Sequence, residues 1–177
     1  MSTTAITVEY IRDVARGDAW SPEVREFAEI VRRAAENLSA MDGQVLNAIH
    51  FAEAVERIVE ANVVYVEDFR RVPGDADYLA VRRPVDVLRG AWRGDCKTHA
   101  ALIAATLIAL GMNPQIERLG YGLEDRSDPY SHVIVFLDGQ EHGLTSSVMI
   151  DSTTTPADQH ATFAGAKSAA LTRTTRR

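Results

Sequence analysis

Apolar residues recur at helical spacing through the first third of the chain and give way to strand-like runs in the last third. Residues 1–18 carry a weak helical pattern in Val8, Ile11, Val14 and Ala15. Ser21, Pro22 and Glu23 spell a helix start: a serine N-cap, a proline in the first helical position and an acid in the first turn. Val24, Phe27, Val31, Ala34 and Leu38 then follow at helical spacing. Asp42 and Gly43 interrupt the pattern and predict the cap of a further helix, with an apolar stripe of Val45, Ile49, Ala52, Val55 and Val59. Each of these helices is apolar on one side only. The pair therefore predicts a hairpin whose stripes need another surface to be buried.

Residues 62–66 are short and β-branched, which predicts a strand or an extended lead-in. Residues 71–83, rich in Pro, Gly and Asp, read as a loop, and 84–88 as one helical turn. A helix opening at Cys96 and ending at Gly111, with Pro114 just behind, is apolar on nearly every side. Such a helix must be covered all round, so it is expected at the centre of the fold. Three strand candidates follow at 115–122, 131–138 and 146–152, joined by polar links. In the second, His132, Ile134 and Phe136 alternate with Val133, Val135 and Leu137. Helices first and a meander-like sheet afterwards predict an α+β fold, with the Cys96 helix against at least three antiparallel strands.

The chain has 177 residues, 46% of them apolar and 25% charged, which suits one folded domain with its own core. That domain is expected over 1–165, with a helical part at 1–62 and a core at 63–165. A small-residue, basic tail follows at 166–177, with Arg173, Arg176 and Arg177. The net charge of −6 argues against nucleic acid as the main partner. The apolar run at 100–110 is too short to cross a bilayer, and 1–19 has no apolar block of the kind a signal peptide needs. No membrane partner is expected. A single cysteine excludes an intramolecular disulfide, so nothing points to an oxidising compartment.

That cysteine changes the picture. A thiol at a helix N-terminus feels the positive end of the macrodipole, which favours the thiolate. Asp95 as N-cap leaves Cys96 in the first turn, near N–H groups able to hold an oxyanion. Gly94 permits close approach of backbone or substrate. Trp92 is a candidate wall of the cleft or support for the oxyanion, with core packing as the plainer role. His132 begins a strong strand, and Asp151 closes an apolar one, where an unpaired carboxylate would be costly. Pairing the two would remove that cost and fix the imidazole tautomer. Cys96, His132 and Asp151 are then nucleophile, base and orienter of a cysteine triad. Taken singly, a cysteine is more often a core hydrophobe and a histidine more often structural. His99 shares a helix face with Cys96 and would allow a metal site with His132 and Asp151, but no second cysteine supports one. No metal and no cofactor are expected. Arg93, Gly94 and Asp95 read as helix lead-in, and His50, His142 and His160 as incidental.

The run from Gly94, Asp95 and Cys96 to Gly111 and Pro114, then Ser131, His132 and Val133, then Ile150, Asp151, Ser152 and Thr153, resembles the transglutaminase-like cysteine enzyme superfamily. Its pattern is a Gly-x-Cys helix, a His-Val strand and an Asp-x-Thr strand, and the resemblance covers roughly 60–155. The helical pair followed by Val64, Tyr65, Val66, Glu67 and Asp68 is similar to small prophage-encoded members. The resemblance implies a papain-like core, with Cys96 as nucleophile, His132 as general base and Asp151 as its orienter. It implies acyl transfer through a thioester, to water or to an amine. The expected activity is hydrolysis of a peptide or amide bond in a protein or peptide substrate, by a peptidase or amidase. Lys97 and Thr98 depart from the family, where many relatives carry acids. Val148 and Met149 also depart, where relatives often have an aromatic residue. Two other classes compete. One is a phage virion or assembly protein that keeps the fold with little or no turnover and has phage structural proteins as partners. The other is a metal-binding module. The implied location is the host cytoplasm or the virion.

Overall fold

The computed structural model describes residues 3–66, 81–120 and 130–153. Three helices come first: α1 (Thr3–Asp18), α2 (Pro22–Asp42) and α3 (Ala48–Asn62). Helix α2 starts where its sequence predicts. The Ser21 hydroxyl accepts the Val24 N–H at 3.3 Å, and Pro22 holds the first helical position. The helix ends at Gly43, whose φ of 63° is left-handed and turns the chain back. Val24, Phe27 and Val31 are buried, Ala34 and Leu38 partly so, and Ala35 completely.

Helix α3 starts later than the position after Gly43 that the pattern suggests. Its cap is Asn47, whose side chain accepts the Ile49 N–H at 2.9 Å, while His50 Nδ1 accepts the Asn47 N–H at 3.2 Å. This reciprocal capping box sets the start, so Val45 lies outside the helix and is 87% exposed. Ile49, in the first turn, also faces out. The buried stripe is Ala48, Ala52, Val55 and Val59. His50 has a definite structural task and is not incidental.

Strand β1 (Val64–Tyr65) pairs in parallel with β2 (Arg93–Gly94). Between them, α4 (Pro84–Asp86) runs into an irregular turn, Val87–Ala91, kinked at Gly90 with φ 141°. Most of the loop expected at 71–83 lies outside the described residues. Asp18, at the end of α1, pairs with Arg83 and accepts the Val85 N–H at 3.3 Å, which ties the first helix to this segment.

Helix α5 (Cys96–Ala109) is the central element, and every residue from 96 to 107 is buried. It ends in a Schellman turn. Gly111, at φ 81°, donates to the Ile108 carbonyl at 2.9 Å, and Met112 donates to Leu107 at 2.9 Å. Helices α1, α2 and α3 all pack on α5. A sheet also packs on it, formed by β3 (Gln115–Gly120), β4 (Tyr130–Leu137) and β5 (Val148–Ile150) in the order β3-β4-β5, antiparallel throughout. His132, Val133, Ile134, Val135 and Leu137 are all buried, so both faces of the middle strand are covered. The architecture is α+β. Among the described residues no helix is long and apolar enough to cross a membrane.

Leu107 is fully buried at the centre of this packing. Leu107→Ala should cost about 2–5 kcal/mol in urea denaturation, with an unchanged denaturant slope. A loss under about 0.5 kcal/mol, the scale of a surface substitution, would contradict the central placement of α5.

Candidate active site

The head of α5 is built by its cap. Asp95 Oδ1 accepts the N–H groups of Lys97 at 3.1 Å and Thr98 at 3.2 Å. The Asp95 carbonyl accepts the His99 N–H at 3.0 Å. Among the described residues, the Cys96 N–H is therefore the first-turn donor left beside the thiol. The second Asp95 oxygen pairs with the Lys97 ammonium, and both side chains are buried. Gly94 is needed for space: a Cβ there would lie 2.3 Å from Thr98 Cγ2. The close approach that glycine permits is that of Thr98, in the first turn of α5.

The histidine and the aspartate meet across the sheet. The register pairs Val135 with Ile150. Continuing it by one residue sets Asp151 beside Ile134, on the face of His132 and diagonal to it, a spacing of about 7–8 Å that two long polar side chains can close. The His132 Nε2–H donates to Asp151 Oδ2 at 2.6 Å. Asp151 Oδ1 accepts the Thr153 hydroxyl at 2.7 Å and its N–H at 3.0 Å. The Asp151 N–H donates to Glu56 Oε1 on α3 at 2.8 Å. The Cys96 thiol acts on His132 as a hydrogen-bond partner and as a charge, and both effects raise the imidazole's pKa. The three residues singled out in the sequence thus share one site.

The electrostatics of the site separate its two histidines. Burial pulls the His132 pKa down, but the hydrogen bonds and charges of Asp151 and Cys96 outweigh it and push the value up to about 9. Burial raises the Asp151 pKa, but His132 and Thr153 together hold it below the usual carboxylate range. His99 is buried without a carboxylate contact of that kind, and burial lowers its pKa to about 4 against the weaker pull of Asp95 and Asp151. It is a neutral imidazole whose Nδ1 meets Ser152 Oγ at 2.8 Å.

Trp92 packs edge-on against Phe27 of α2, with ring centroids 6.4 Å apart, and its carbonyl accepts the Val64 N–H at 2.9 Å. Those contacts are the core-packing role. The Asp95 carboxylate is taken up by its helix and by Lys97, so what that cap offers an oxyanion is the placement of the Cys96 N–H. Among the described residues no group of three or more His, Cys, Asp or Glu side chains is arranged to hold a metal. A surface hollow of about 400 Å³ lies at the far end of α5, lined by Trp20, Pro22, Arg25, Ala109 and Leu110 among others. It includes none of the three site residues.

Glu56, Ser152 and Thr153 join the site without having been singled out from the sequence. Thr153 had a visible signal, a hydroxyl two residues after an acid at a strand end, where it can close a turn on the carboxylate. Glu56 had none, because it approaches from a helix distant in the chain.

No family model matches the sequence, and no curated protein does. A solved structure of a candidate cysteine protease from Cytophaga hutchinsonii is similar to it, at 15% identity over 72% of this chain and with a TM-score of 0.40. The chain spans 39% of that protein's length. A likeness this distant adds nothing to the chemistry of the site, which stands on the geometry above.

The two histidines should shape the dependence of stability on pH from opposite sides. The folded pKa of His132 lies above the ordinary 6.5, so its contribution is whole below that value and is lost as pH rises through about 9. The folded pKa of His99 lies below 6.5, so stability is lost as pH falls from there towards about 4. Asp151, with its lowered pKa, adds to the loss on the acid side. His132→Phe should flatten the alkaline limb and His99→Phe part of the acid limb, each by on the order of a few kcal/mol. Urea denaturation at pH 5, 6.5 and 8.5 measures this. An alkaline limb identical in wild type and His132→Phe would show that His132 does not hold its proton in the fold.

Proposed function

We propose that the protein is a cysteine-dependent acyl-transfer enzyme that hydrolyses a peptide or amide bond, built on a papain-like, transglutaminase-like core. The observation that carries this reading is the His132–Asp151 hydrogen bond of 2.6 Å, on an imidazole that also reaches the lone thiol at the head of a helix. In this reading Asp151 engages Nε2 and Nδ1 serves the Cys96 thiol. The raised proton affinity of His132 suits it to act as the base that takes the thiol proton. Asp151 then stabilises the imidazolium and keeps Nδ1 turned to sulfur.

The thiolate attacks the substrate carbonyl carbon, and the developing oxyanion is met by the Cys96 N–H. The C–N bond breaks as His132 donates its proton to the leaving amine, which leaves a thioester on Cys96. Water attacks the thioester, His132 accepts the water proton, the C–S bond breaks, and the carboxylic acid departs. The sulfur leaves as thiolate beside the imidazolium, which restores the starting pair. An amine in place of water would give transamidation at the same thioester.

Cys96 is only 8% exposed. That observation favours a second reading, a phage virion or assembly protein that keeps the fold with little turnover. Alkylation of Cys96 separates the two. In the enzyme reading, iodoacetamide labels wild type well below the pH at which a free thiol, near 8.5, would react, and His132→Ala removes the low-pH reaction. Asp151→Asn should stay folded and lower any amidase turnover by about 10²–10⁴-fold, because the amide can favour the wrong tautomer. A wild-type alkylation profile like that of a free thiol, untouched by His132→Ala, would sink the enzyme reading.

A further inference from the structure

His99 lies one turn beyond Cys96 on α5, so the two side chains share a helix face. It is 2% exposed, its Nδ1 meets Ser152 Oγ at 2.8 Å, and its ring sits edge-on to Tyr65 with centroids 6.0 Å apart. Ser152 directly follows Asp151. The helix that carries the thiol and the turn that carries the acid are therefore joined by a polar bond of their own.

The ladder between β4 and β5 ends at Ile150, so Asp151, Ser152 and Thr153 lie beyond it. Thr153 bonds Asp151 within the turn itself, and Glu56 holds the Asp151 N–H from α3. Among the described residues, the His99–Ser152 bond links this turn to the helix of the nucleophile. We propose that His99 is a positioning residue for the triad: through Ser152 it fixes the Asp151 turn at the distance from α5 where Asp151 holds the His132 imidazole beside Cys96. This rests on the acyl-transfer reading and deepens it. His99 acts only through Ser152 and Asp151. A displacement of about 1 Å at the turn would break a bond as short as that between His132 and Asp151.

A purely structural role would have His99 and Ser152 do no more than satisfy each other in the core. Three variants distinguish the two roles: Ser152→Ala, His99→Phe and His99→Asn, whose amide can still bond Ser152. The first readout is the rate of Cys96 alkylation by iodoacetamide against pH, beside the melting temperature. Positioning predicts that Ser152→Ala and His99→Phe each shift the profile towards that of a free thiol and slow the reaction at pH 6 by about 10–100-fold. His99→Asn should stay close to wild type. Unchanged profiles in Ser152→Ala and His99→Phe, with only the melting temperature lowered, would overturn the proposal.

The second readout is independent of reactivity. It is the low-field proton resonance of the His132 Nε2–H bonded to Asp151. Loss of that resonance in Ser152→Ala supports positioning, and its persistence overturns it. If wild-type Cys96 reacts as a free thiol regardless of His132, the acyl-transfer reading fails by itself, and the resonance still decides the role of His99.

Discussion

The fold depends on covering α5. Its surface is apolar almost all round, so no orientation leaves one side to solvent without a large cost in exposed hydrocarbon. The α2 and α3 stripes and α1 take part of that surface, and the β3-β4-β5 sheet takes another. Neither layer has a sufficient core without the helix. With α5 set between them, its N-terminus and the polar residues of the sheet are brought to one place. The meeting of Cys96 with His132 follows from burying Leu102, Ile103 and Leu107 as much as from any local contact.

The same burial puts polar groups under strict requirements at the head of the helix. Asp95, Lys97, Thr98, His99, His132, Asp151 and Ser152 are all buried. A buried polar group left without a partner costs about 1–3 kcal/mol, so most of these groups bond one another; His99 Nε2 is an exception and finds no partner among the described residues. Lys97 has a definite task here. Its ammonium pairs with the carboxylate that caps the helix, so the charge of the cap is balanced inside the protein. Ion pairs of this kind seldom add net stability. What this one does is keep a buried carboxylate beside the thiol from acting as a lone negative charge.

Much of this was legible in the chain. The Ser21 cap, the glycine ends of α2 and α5 and the three antiparallel strands follow from residue type and local spacing. Local rules failed where a partner lies outside the window they read. Asp42 and Gly43 close α2 but do not open α3, because Asn47 and His50 form a capping box a turn later. That shift exposes Val45 and makes His50 structural. Gly94 signalled close approach correctly, but the approaching group is Thr98 and not a substrate. Ser152 sat inside a quoted motif, yet its partner is 53 positions away, and Glu56 is 95 positions from Asp151. No periodicity reports contacts of that range.

Glu56 also bears on what the helical first part is for. A helical hairpin ahead of a cysteine core could be an appendage with its own surface. Here the α3 stripe is buried with the core, and Glu56 on the same helix accepts the N–H of the residue that orients His132. Among the described residues, β4 holds Asp151 through His132, its own turn through Thr153 and α3 through Glu56, while α5 holds the next residue through His99. A carboxylate held from three directions loses little further freedom when it meets an imidazolium, which is the condition for orienting one. The helices belong to the site by the same packing that makes them part of the core, and separating them from residues 63–153 would remove both the cover of α5 and a support of its chemistry.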